Sequence, residues 1–354
     1  MAAAQIGSFG KALPPAMQQA DLWNGYFDRY YGGSRVAARL FRAVGVQTRH
    51  GAVNPSFEDI SEWGTAARMQ RFAVEALPLG KEALSTALSA KGLDAEDLGM
   101  LVVASCTGYG TPGLNVTLAR DLGMSAELRS LMIGHMGCYA AIPALGAAAD
   151  YVNVHQRPAA VLCLELTSLH VQPSQPIPRP LTAEAAQQMV VHALFSDAAA
   201  AAVITPEQSA GALEVVEIAA LTDTSTTDMM SWDVTDLGFR MGLSREVPRV
   251  LGRHVRPATE QLLARHGLTL GDVRGWVVHP GGPEILETVG AALDLTPQQL
   301  QPSRDILRDY GNCSSATVPL ILEHVQNGMT DSGHLVALAF GPGLTLYAAL
   351  LRAI

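Results

Sequence analysis

Three polar residues of this 354-residue chain have the types and settings that thiol chemistry needs: Cys138, His279 and Asn312. A cysteine thiolate is a nucleophile, and a histidine can pair with it and later donate a proton. An asparagine donates a hydrogen bond without neutralising the thiolate charge. The three residues lie far apart in the sequence, so the elements that carry them decide whether they form one site.

Cys138 follows Gly137 and precedes an apolar segment, 139–155, that is predicted to be helical after its first turn. A thiol at such a helix start meets unpaired backbone N–H groups and the positive end of the helix dipole. Both effects lower its pKa toward the reactive thiolate. The competing interpretation is a small buried cysteine, which is the common fate of a free cysteine.

His279 ends the apolar strand predicted over 275–278 and is followed by Pro280-Gly281-Gly282. Its imidazole is therefore expected at the carboxyl end of a strand, where open α/β sheets place their sites. A core histidine that is hydrogen-bonded to the turn is the alternative. Asn312 precedes Cys313 in a second turn, and it can be either a helix cap or a neutral donor in an oxyanion site.

The composition is that of an acidic and apolar chain. It has 24 Lys and Arg against 33 Asp and Glu, a net charge of −9, and 16% charged against 48% hydrophobic residues. Because both nucleic acids and anionic membranes require clustered positive charge, neither is expected as a partner. The low charged fraction indicates that another subunit covers part of the surface.

Membrane and metal signals are also missing from the sequence. The uncharged stretches 131–149 and 332–351 are interrupted by turn residues, and the N-terminus lacks the basic-then-apolar order of a leader. A cytoplasmic protein without a membrane span is therefore expected. The four cysteines form no CxxC pair and have no zinc-ligand spacing, so neither a metal nor a disulfide framework is expected.

The chain resembles itself at one fixed offset, the repeat offset that carries Cys138 onto Cys313. The same offset carries 91–103 onto 266–278 and 160–166 onto 335–341. Chance similarity between segments rich in Ala, Leu and Val is the alternative to a duplication. Two related halves, 1–207 and 208–354, each with alternating helices and buried strands, predict an α/β fold with a pseudo-two-fold axis. Such an axis brings equivalent helix starts face to face, so Cys138 and Asn312 are expected to converge.

Four segments resemble those of type III polyketide synthases, the chalcone synthase-like family, and the likeness extends over nearly the whole chain. They are 134–140 (GHMGCYA), 278–283 (VHPGGP), 311–316 (GNCSSA) and 340–345 (FGPGLT). The resemblance is to the bacterial type of this family. It implies a thiolase fold, made of duplicated αβαβα layered halves, and an obligate homodimer.

The resemblance also implies an activity. This is iterative decarboxylative Claisen condensation of malonyl-CoA onto an acyl-CoA starter, then cyclisation to a pyrone, a resorcinol or a related aromatic product. By motif, Cys138 would hold the growing chain as a thioester, while His279 and Asn312 would bind the thioester carbonyl of malonyl-CoA. The CoA thioesters are substrates, and no cofactor is implied.

Five further positions are carried over by the resemblance to the substrate cavity. Phe195 matches one gatekeeper, and Met241 stands at the second, where a residue softer than an aromatic ring favours linear aliphatic starters. Trp232, His170 and Cys106 match positions that line the cavity. Ordinary core packing is the alternative for each of them.

Three arginines match a basic helix that contacts the CoA phosphates in the family. Arg35, Arg39 and Arg42 are spaced so that their guanidinium groups share one face of a predicted helix. Guanidinium forks bind phosphate well. A solvated helix face is the alternative.

Other protein classes share parts of this pattern. A ketoacyl-ACP synthase III-like condensing enzyme has the same fold and the same Cys-His-Asn order, but the Gly-Pro-Gly and His-Pro-Gly-Gly-Pro motifs favour the polyketide synthase. A papain-like protease shares the residue order without the duplicated pattern. A non-catalytic acyl-CoA-binding protein of thiolase fold would not need all three reactive residues.

Overall fold

The structure is a computed structural model that describes residues 3–207, 209–329 and 331–354. The strands are β1 Gln5–Ala12, β2 Ala16–Gln18, β3 Thr48–His50, β4 Met100–Ala104, β5 Arg129–Ile133, β6 Ala159–Glu165, β7 Ala198–Thr205, β8 Leu213–Thr222, β9 Met230–Thr235, β10 Gly238–Leu243, β11 Val273–Val278, β12 Gly333–Gly341 and β13 Thr345–Ala353. The helices are α1 Gln19–Leu22, α2 Asp28–Tyr30, α3 Arg35–Ala43, α4 Thr65–Lys91, α5 Leu114–Asp121, α6 Ala141–His155, α7 Ala183–Leu194, α8 Val247–Ala264, α9 Pro283–Leu293, α10 Gln301–Tyr310 and α11 Thr317–Gly328.

The main sheet has two mirrored parts. Its nine strands follow the order β11-β12-β13-β8-β1-β7-β6-β4-β5. From the centre outward, β1-β7-β6-β4 in the first half mirrors β8-β13-β12-β11 in the second half. The two parts join through a short antiparallel contact between β1 and β8, where Gln5 pairs with Glu214 and Ile6 with Leu213. This mirrored order is what a pseudo-two-fold axis produces.

The duplication extends to local detail. Short 3-10 turns occur at Ala95–Asp97 and Leu270–Asp272, which the repeat offset relates, and each is closed by a reciprocal capping box. Strands β4 and β11 follow these turns, and helices α6 and α11 then precede β6 and β12. The predicted boundary between residues 207 and 208 falls at Gln208, which lies outside the described residues, so the boundary stays a prediction.

The sheet is mixed, whereas the alternation of strands and helices alone favours a parallel one. Strand β4 is parallel to β5 and β6, but β6 and β7 are antiparallel. The chain leaves β6 at Glu165 and enters β7 at Ala198, which pair directly, so the connection returns at the same edge of the sheet. Strands β12 and β13 are also antiparallel, because the turn between Gly341 and Thr345 is too short for the crossover that parallel strands require.

Three apolar clusters hold the layers together. The central cluster contains α6, α11 and the inner faces of both sets of strands. Helix α4 covers the outer face of the first half, and α8 and α9 cover that of the second half. This arrangement confirms the predicted α/β thiolase-like fold with its αβαβα layers. No helix of the described residues is long and apolar enough to cross a membrane.

Candidate active site

Cys138 lies in a 3-10 turn, Gly137–Tyr139, that leads into α6. Gly137 has φ +66°, and a Cβ at this position would lie 3.0 Å from Pro342 Cδ. Glycine is therefore required both by the left-handed backbone and by the close approach of the second half. The turn leaves the Cys138 side chain 9% exposed at the start of the helix.

The Cys138 thiol does not have the lowered pKa that its helix start predicts. Burial raises the pKa to about 12, and the nearby Glu165 carboxylate raises it as well. A hydrogen bond with the Ser314 side chain and the Cys138 backbone N–H both lower it, but by less. That prediction is wrong for the free enzyme because desolvation of the thiolate outweighs the local backbone dipoles.

Asn312 is fixed by its backbone and uses one side-chain atom as a cap. Its N–H donates to Leu194 O at 2.9 Å, and its carbonyl accepts from the Ser196 N–H at 2.9 Å. The Ser314 backbone N–H donates to Asn312 Oδ1 at 2.9 Å. The capping interpretation therefore accounts for the oxygen, and it leaves Nδ2 as a donor for another group.

His279 is a buried histidine whose ring has no protein partner among the described residues. The side chain is 1% exposed, and its backbone N–H donates to Leu338 O at 2.8 Å. Neither ring nitrogen has a hydrogen-bond partner in the part of the chain that the structure describes, which contradicts the alternative of a histidine bonded to its turn. Burial lowers the pKa of His279 to about 3, so the imidazole is neutral.

Contacts between the two halves bring these three positions into one region. The Ser314 side chain lies close enough to the Cys138 thiol to act on its pKa, and the Ser314 N–H donates to Asn312 Oδ1. Strand β12 pairs with the strand that ends before His279, and its last residue approaches the Cys138 turn. A Cβ on Gly341 would lie 2.6 Å from Tyr139 Cδ1. The predicted convergence of Cys138 and Asn312 therefore has a direct structural link in Ser314.

Glu165 belongs to this region and was missed by the sequence reasoning. Its carboxylate accepts hydrogen bonds from the Ser315 hydroxyl at 2.6 Å, the Thr107 hydroxyl at 2.8 Å and the Cys106 N–H at 3.0 Å. Burial raises its pKa to about 7. The signal that could have found it is a single carboxylate within the apolar run 160–166, which is rare unless the charge is paired or hydrogen-bonded.

A cavity of about 440 Å³ lies next to this region. Four of the five predicted cavity residues line it: Phe195, Met241, Trp232 and His170. Cys106 and the three catalytic candidates are not among the described residues that line it. Phe195 forms a single parallel bridge with Asn312, which places it between the cavity and the catalytic region. Met241 and Trp232 lie directly opposite each other on the β9-β10 ribbon.

Three aromatic rings form one wall of the cavity. His170 stacks on Phe239 at 4.5 Å and meets Trp232 edge-on at 5.5 Å. Trp232 Nε1 donates to Cys106 O at 2.9 Å, and the Gly137 N–H donates to Cys106 Sγ at 3.0 Å. Trp232 therefore lines the cavity with one face while its indole N–H is bonded to the segment that supports Cys138.

His170 is a structural part of this wall. Its ring bonds to Thr107 O at 2.8 Å through Nε2, and the Phe239 N–H donates to Nδ1 at 3.0 Å. Both ring nitrogens therefore have hydrogen-bond partners. Burial lowers the pKa of His170 to about 4, so its ring is neutral and shapes the wall rather than transferring protons.

The three predicted CoA arginines lie on α3, as expected, and all are exposed or partly exposed. A second cavity of about 780 Å³ shares a wall with the first, and Arg35 lines it together with Arg29 and Arg179. Arg39 and Arg42 do not line it. The structure therefore groups Arg35 with two arginines that the sequence does not connect.

The fold and this region together define a thiolase-like α/β protein with a cysteine, a histidine and an asparagine near one junction of its halves. The model of the chalcone and stilbene synthase N-terminal domain matches residues 2–208, and that of the C-terminal domain matches residues 218–354. The chain belongs to this family and is a type III polyketide synthase, an acyltransferase that condenses malonyl-CoA to aromatic or pyrone polyketides. The predicted family and activity are confirmed.

Individual relatives agree with this assignment. The chain is 34% identical to a 1,3,6,8-tetrahydroxynaphthalene synthase of Streptomyces peucetius, over 98% of this chain and 92% of the relative. It is 31% identical to the α-pyrone synthesis polyketide synthase-like Pks18 of Mycobacterium tuberculosis, over 87% of this chain and 80% of the relative. The structure of the tetrahydroxynaphthalene synthase of Streptomyces coelicolor superposes with a TM-score of 0.90 at 26% identity, covering 98% of each chain.

Proposed function

We propose that Cys138 carries the growing polyketide and that His279 and Asn312 bind the thioester carbonyl of malonyl-CoA. The observation that carries this assignment is the His279 ring, which is buried and neutral and has no partner on either nitrogen among the described residues. Buried polar groups in proteins are normally hydrogen-bonded. A substrate oxygen is the partner that this arrangement favours.

The proposed reaction has two stages. In the first, the Cys138 sulfur gives up its proton to the neutral His279 and attacks the starter thioester. The bond from the acyl carbon to the CoA sulfur breaks, and CoA takes the proton and leaves as a thiol. His279 can accept this proton because neither of its ring nitrogens is engaged by the described residues. Since the free thiol holds its proton far more tightly than this buried imidazole, the transfer is proposed to be coupled to the attack on the thioester.

In the second stage, malonyl-CoA loses CO₂, and the electron pair of the broken bond remains as an enolate. A ring N–H of His279 and Nδ2 of Asn312 would stabilise the enolate oxygen, and both are uncharged donors in a buried setting. The enolate carbon then attacks the acyl carbon on Cys138. A carbon–carbon bond forms as the bond from the acyl carbon to the Cys138 sulfur breaks, and the sulfur leaves as a thiolate that can take the lengthened chain back from CoA.

Peptide mass spectrometry of the enzyme after incubation with an acyl-CoA starter tests this proposal. The acyl mass should appear on the peptide that contains Cys138 and not on those with Cys106, Cys163 or Cys313. Acylation of another cysteine would contradict the assignment.

Arg29, Arg35 and Arg179 are proposed to bind the phosphates of CoA. All three line the second cavity, and no carboxylate is among the described residues that line it. The second cavity shares lining residues with the first cavity, which Phe195 also lines. Arg35→Ala should raise KM for malonyl-CoA with little change in kcat, while Arg42→Ala, outside the cavity, is the matched control.

A homodimer is proposed from the free edge of the sheet. Strand β5 is one of the two edge strands, and Leu131 and Met132 on it are 40% and 38% exposed. Val116 and Val154, on the helices beside this strand, are 50% and 70% exposed. Exposed edges with apolar neighbours are typical of subunit contacts. Light scattering should give twice the chain mass, and Met132→Glu should reduce it toward the monomer.

The product is proposed to be a pyrone or a small aromatic polyketide made from an acyl-CoA starter. Relatives named for α-pyrone synthesis and for 1,3,6,8-tetrahydroxynaphthalene synthesis both support this range. Mass spectrometry of the products identifies the product class and shows whether a starter is incorporated. The products made from malonyl-CoA alone are compared with those made after acyl-CoA starters are added. A product mass that excludes any added starter would contradict the use of such a starter.

A further inference from the structure

The cavity of about 440 Å³ has a buried cation in its wall. Arg49, on β3, is 6% exposed, and its Nη1 donates to His192 O at 2.5 Å and to Phe195 O at 3.0 Å. Its Nε is buried and has no hydrogen-bond partner among the described residues. One edge of the guanidinium group is therefore anchored to backbone carbonyls, and the Nε side is not.

The charge of Arg49 lacks a direct counterion among the described residues. Asp197 is the acid that influences it, but the oxygens of Asp197 already accept hydrogen bonds from Ala52, Ser168 and Thr167. Within the described ranges, no salt bridge joins Arg49 to a carboxylate. Burial lowers the pKa of Arg49 to about 10, so the group stays charged at neutral pH. Backbone carbonyls and the Phe27 ring, 5.8 Å away, are its neighbours, but a buried cation without a carboxylate is costly, and the cavity beside it has room for an anion.

The neighbours of Arg49 in the cavity do not supply that anion. His192 Nδ1 is bonded to the Tyr31 hydroxyl at 2.7 Å, and burial together with the Arg49 charge lowers the pKa of His192 to about 3. Arg240 lines the same cavity, but its charge is already paired with Glu184 at 2.7 Å. Arg49 therefore differs from Arg240 in having no carboxylate of its own among the described residues.

We propose that this cavity receives the distal end of an acyl starter that terminates in a carboxylate, which binds to Arg49. The starter class is thus a dicarboxylic acid monothioester, and the inference rests on the function proposed above. Met17, Leu22 and Met189 supply apolar wall for the methylene groups. The Nε edge of a guanidinium group has the geometry that a carboxylate accepts side-on.

The position of Arg49 connects this anion site with the gate. Its Nη1 is bonded to the carbonyl of Phe195, the residue that bridges Asn312. A carboxylate on Arg49 would therefore lie directly behind the gate, at the far end of a short acyl chain whose thioester is at Cys138. Met241 favours a linear chain, and Arg49 adds the requirement for a charged end.

Competition between starters of matched length tests the proposal. In the parent enzyme, kcat/KM for glutaryl-CoA should exceed that for pentanoyl-CoA about tenfold or more, since hydrogen bonds to charged groups are the strong ones. Arg49→Met should remove this preference, and Arg49→Lys should retain part of it. Arg240→Met is the matched control and should keep the parent ratio, because Glu184 already neutralises Arg240.

The ratio of the two starters is the informative quantity, because Arg49 also supports the Phe195 backbone and its loss lowers turnover of both. Equal or better use of pentanoyl-CoA by the parent enzyme, or use of neither starter, overturns the proposal even if Arg49→Met does not fold. An unchanged ratio in a folded Arg49→Met variant also overturns it. Failure of the underlying function is distinguishable, because then no starter would acylate Cys138.

Discussion

The two halves of the molecule start their central helices at equivalent positions with different chemistry. The repeat offset relates Cys138 to Cys313, and each is buried near a short turn that leads into α6 or α11. The Ser314 side chain lies beside the Cys138 thiol and acts to lower its pKa. The Cys313 thiol is 0% exposed and donates to the backbone carbonyls of Tyr310 and Gly311 at 3.5 and 4.0 Å. Neighbouring groups, not the helix start, therefore distinguish the two thiols.

The same asymmetry holds for the other polar residues of the site. At the repeat offset, His279 corresponds to Ala104, Asn312 to Gly137 and Glu165 to Phe340. The scaffold is duplicated, but each of these three polar groups occurs in one half only. A pseudo-symmetric fold thus supplies two similar helix starts, and single substitutions between the halves assign them different tasks.

The strongest test of this difference exchanges the two cysteines for alanine separately. Cys138→Ala should reduce polyketide formation on the order of a thousandfold or more, because it removes the proposed nucleophile. Cys313→Ala should keep most of the activity and lose only stability. Product formation by the two purified variants, measured by liquid chromatography, gives the comparison, and equal losses would contradict it.

Asn312 gives the next largest expected effect. Asn312→Ala should lower malonyl-CoA decarboxylation by about 10² to 10³, the range for losing one oxyanion-type donor. Acylation of Cys138 by the starter should persist, since the nucleophile is unchanged. Decarboxylation can be followed as release of labelled CO₂. Decarboxylation at the parent rate would mean that Asn312 only caps the turn through Oδ1.

Glu165 offers a test of the electrostatic difference between the halves. Burial is the main cause of the raised pKa of Cys138, and the Glu165 charge adds to it. Glu165→Gln removes that charge, so alkylation of Cys138 by iodoacetamide at pH 8 should be about tenfold faster. The pKa of Glu165 is about 7, so the carboxylate is ionised above that pH and neutral below it. The difference between variant and parent should therefore shrink as the pH falls through 7. A rate ratio independent of pH would contradict this coupling.

The smallest expected effects concern the shared scaffold, where the halves should behave alike. Asp94 and Thr269 each accept a backbone N–H in equivalent capping boxes. Asp94→Ala and Thr269→Ala should each lower the free energy of unfolding by about 1 kcal/mol. Urea unfolding of the two variants measures this directly. A much larger loss at either position would show that the two turns are not equivalent in energy.

Much of the fold and the identity of the central residues could be predicted from the sequence. The internal repeat and the apolar runs predict the layers because strand and helix patterns depend on neighbouring residues. The turns at Gly137 and Gly311 identify Cys138 and Asn312 because both require a backbone that glycine permits, with φ values of +66° and +74°. Strand direction is harder to predict, because the return from β6 to β7 depends on where a long connection packs.

The sequence by itself determined the layers, the duplication, the family and the three residues at the junction of the halves. Only the tertiary structure decided that the Cys138 thiol is protonated in the free enzyme, that Glu165 lies beside it and that Arg49 faces a cavity without a counterion among the described residues. The physical reason is the distance along the chain over which each effect acts. Helix and turn preferences act within a few residues, whereas desolvation and charge balance sum over groups that only folding brings together.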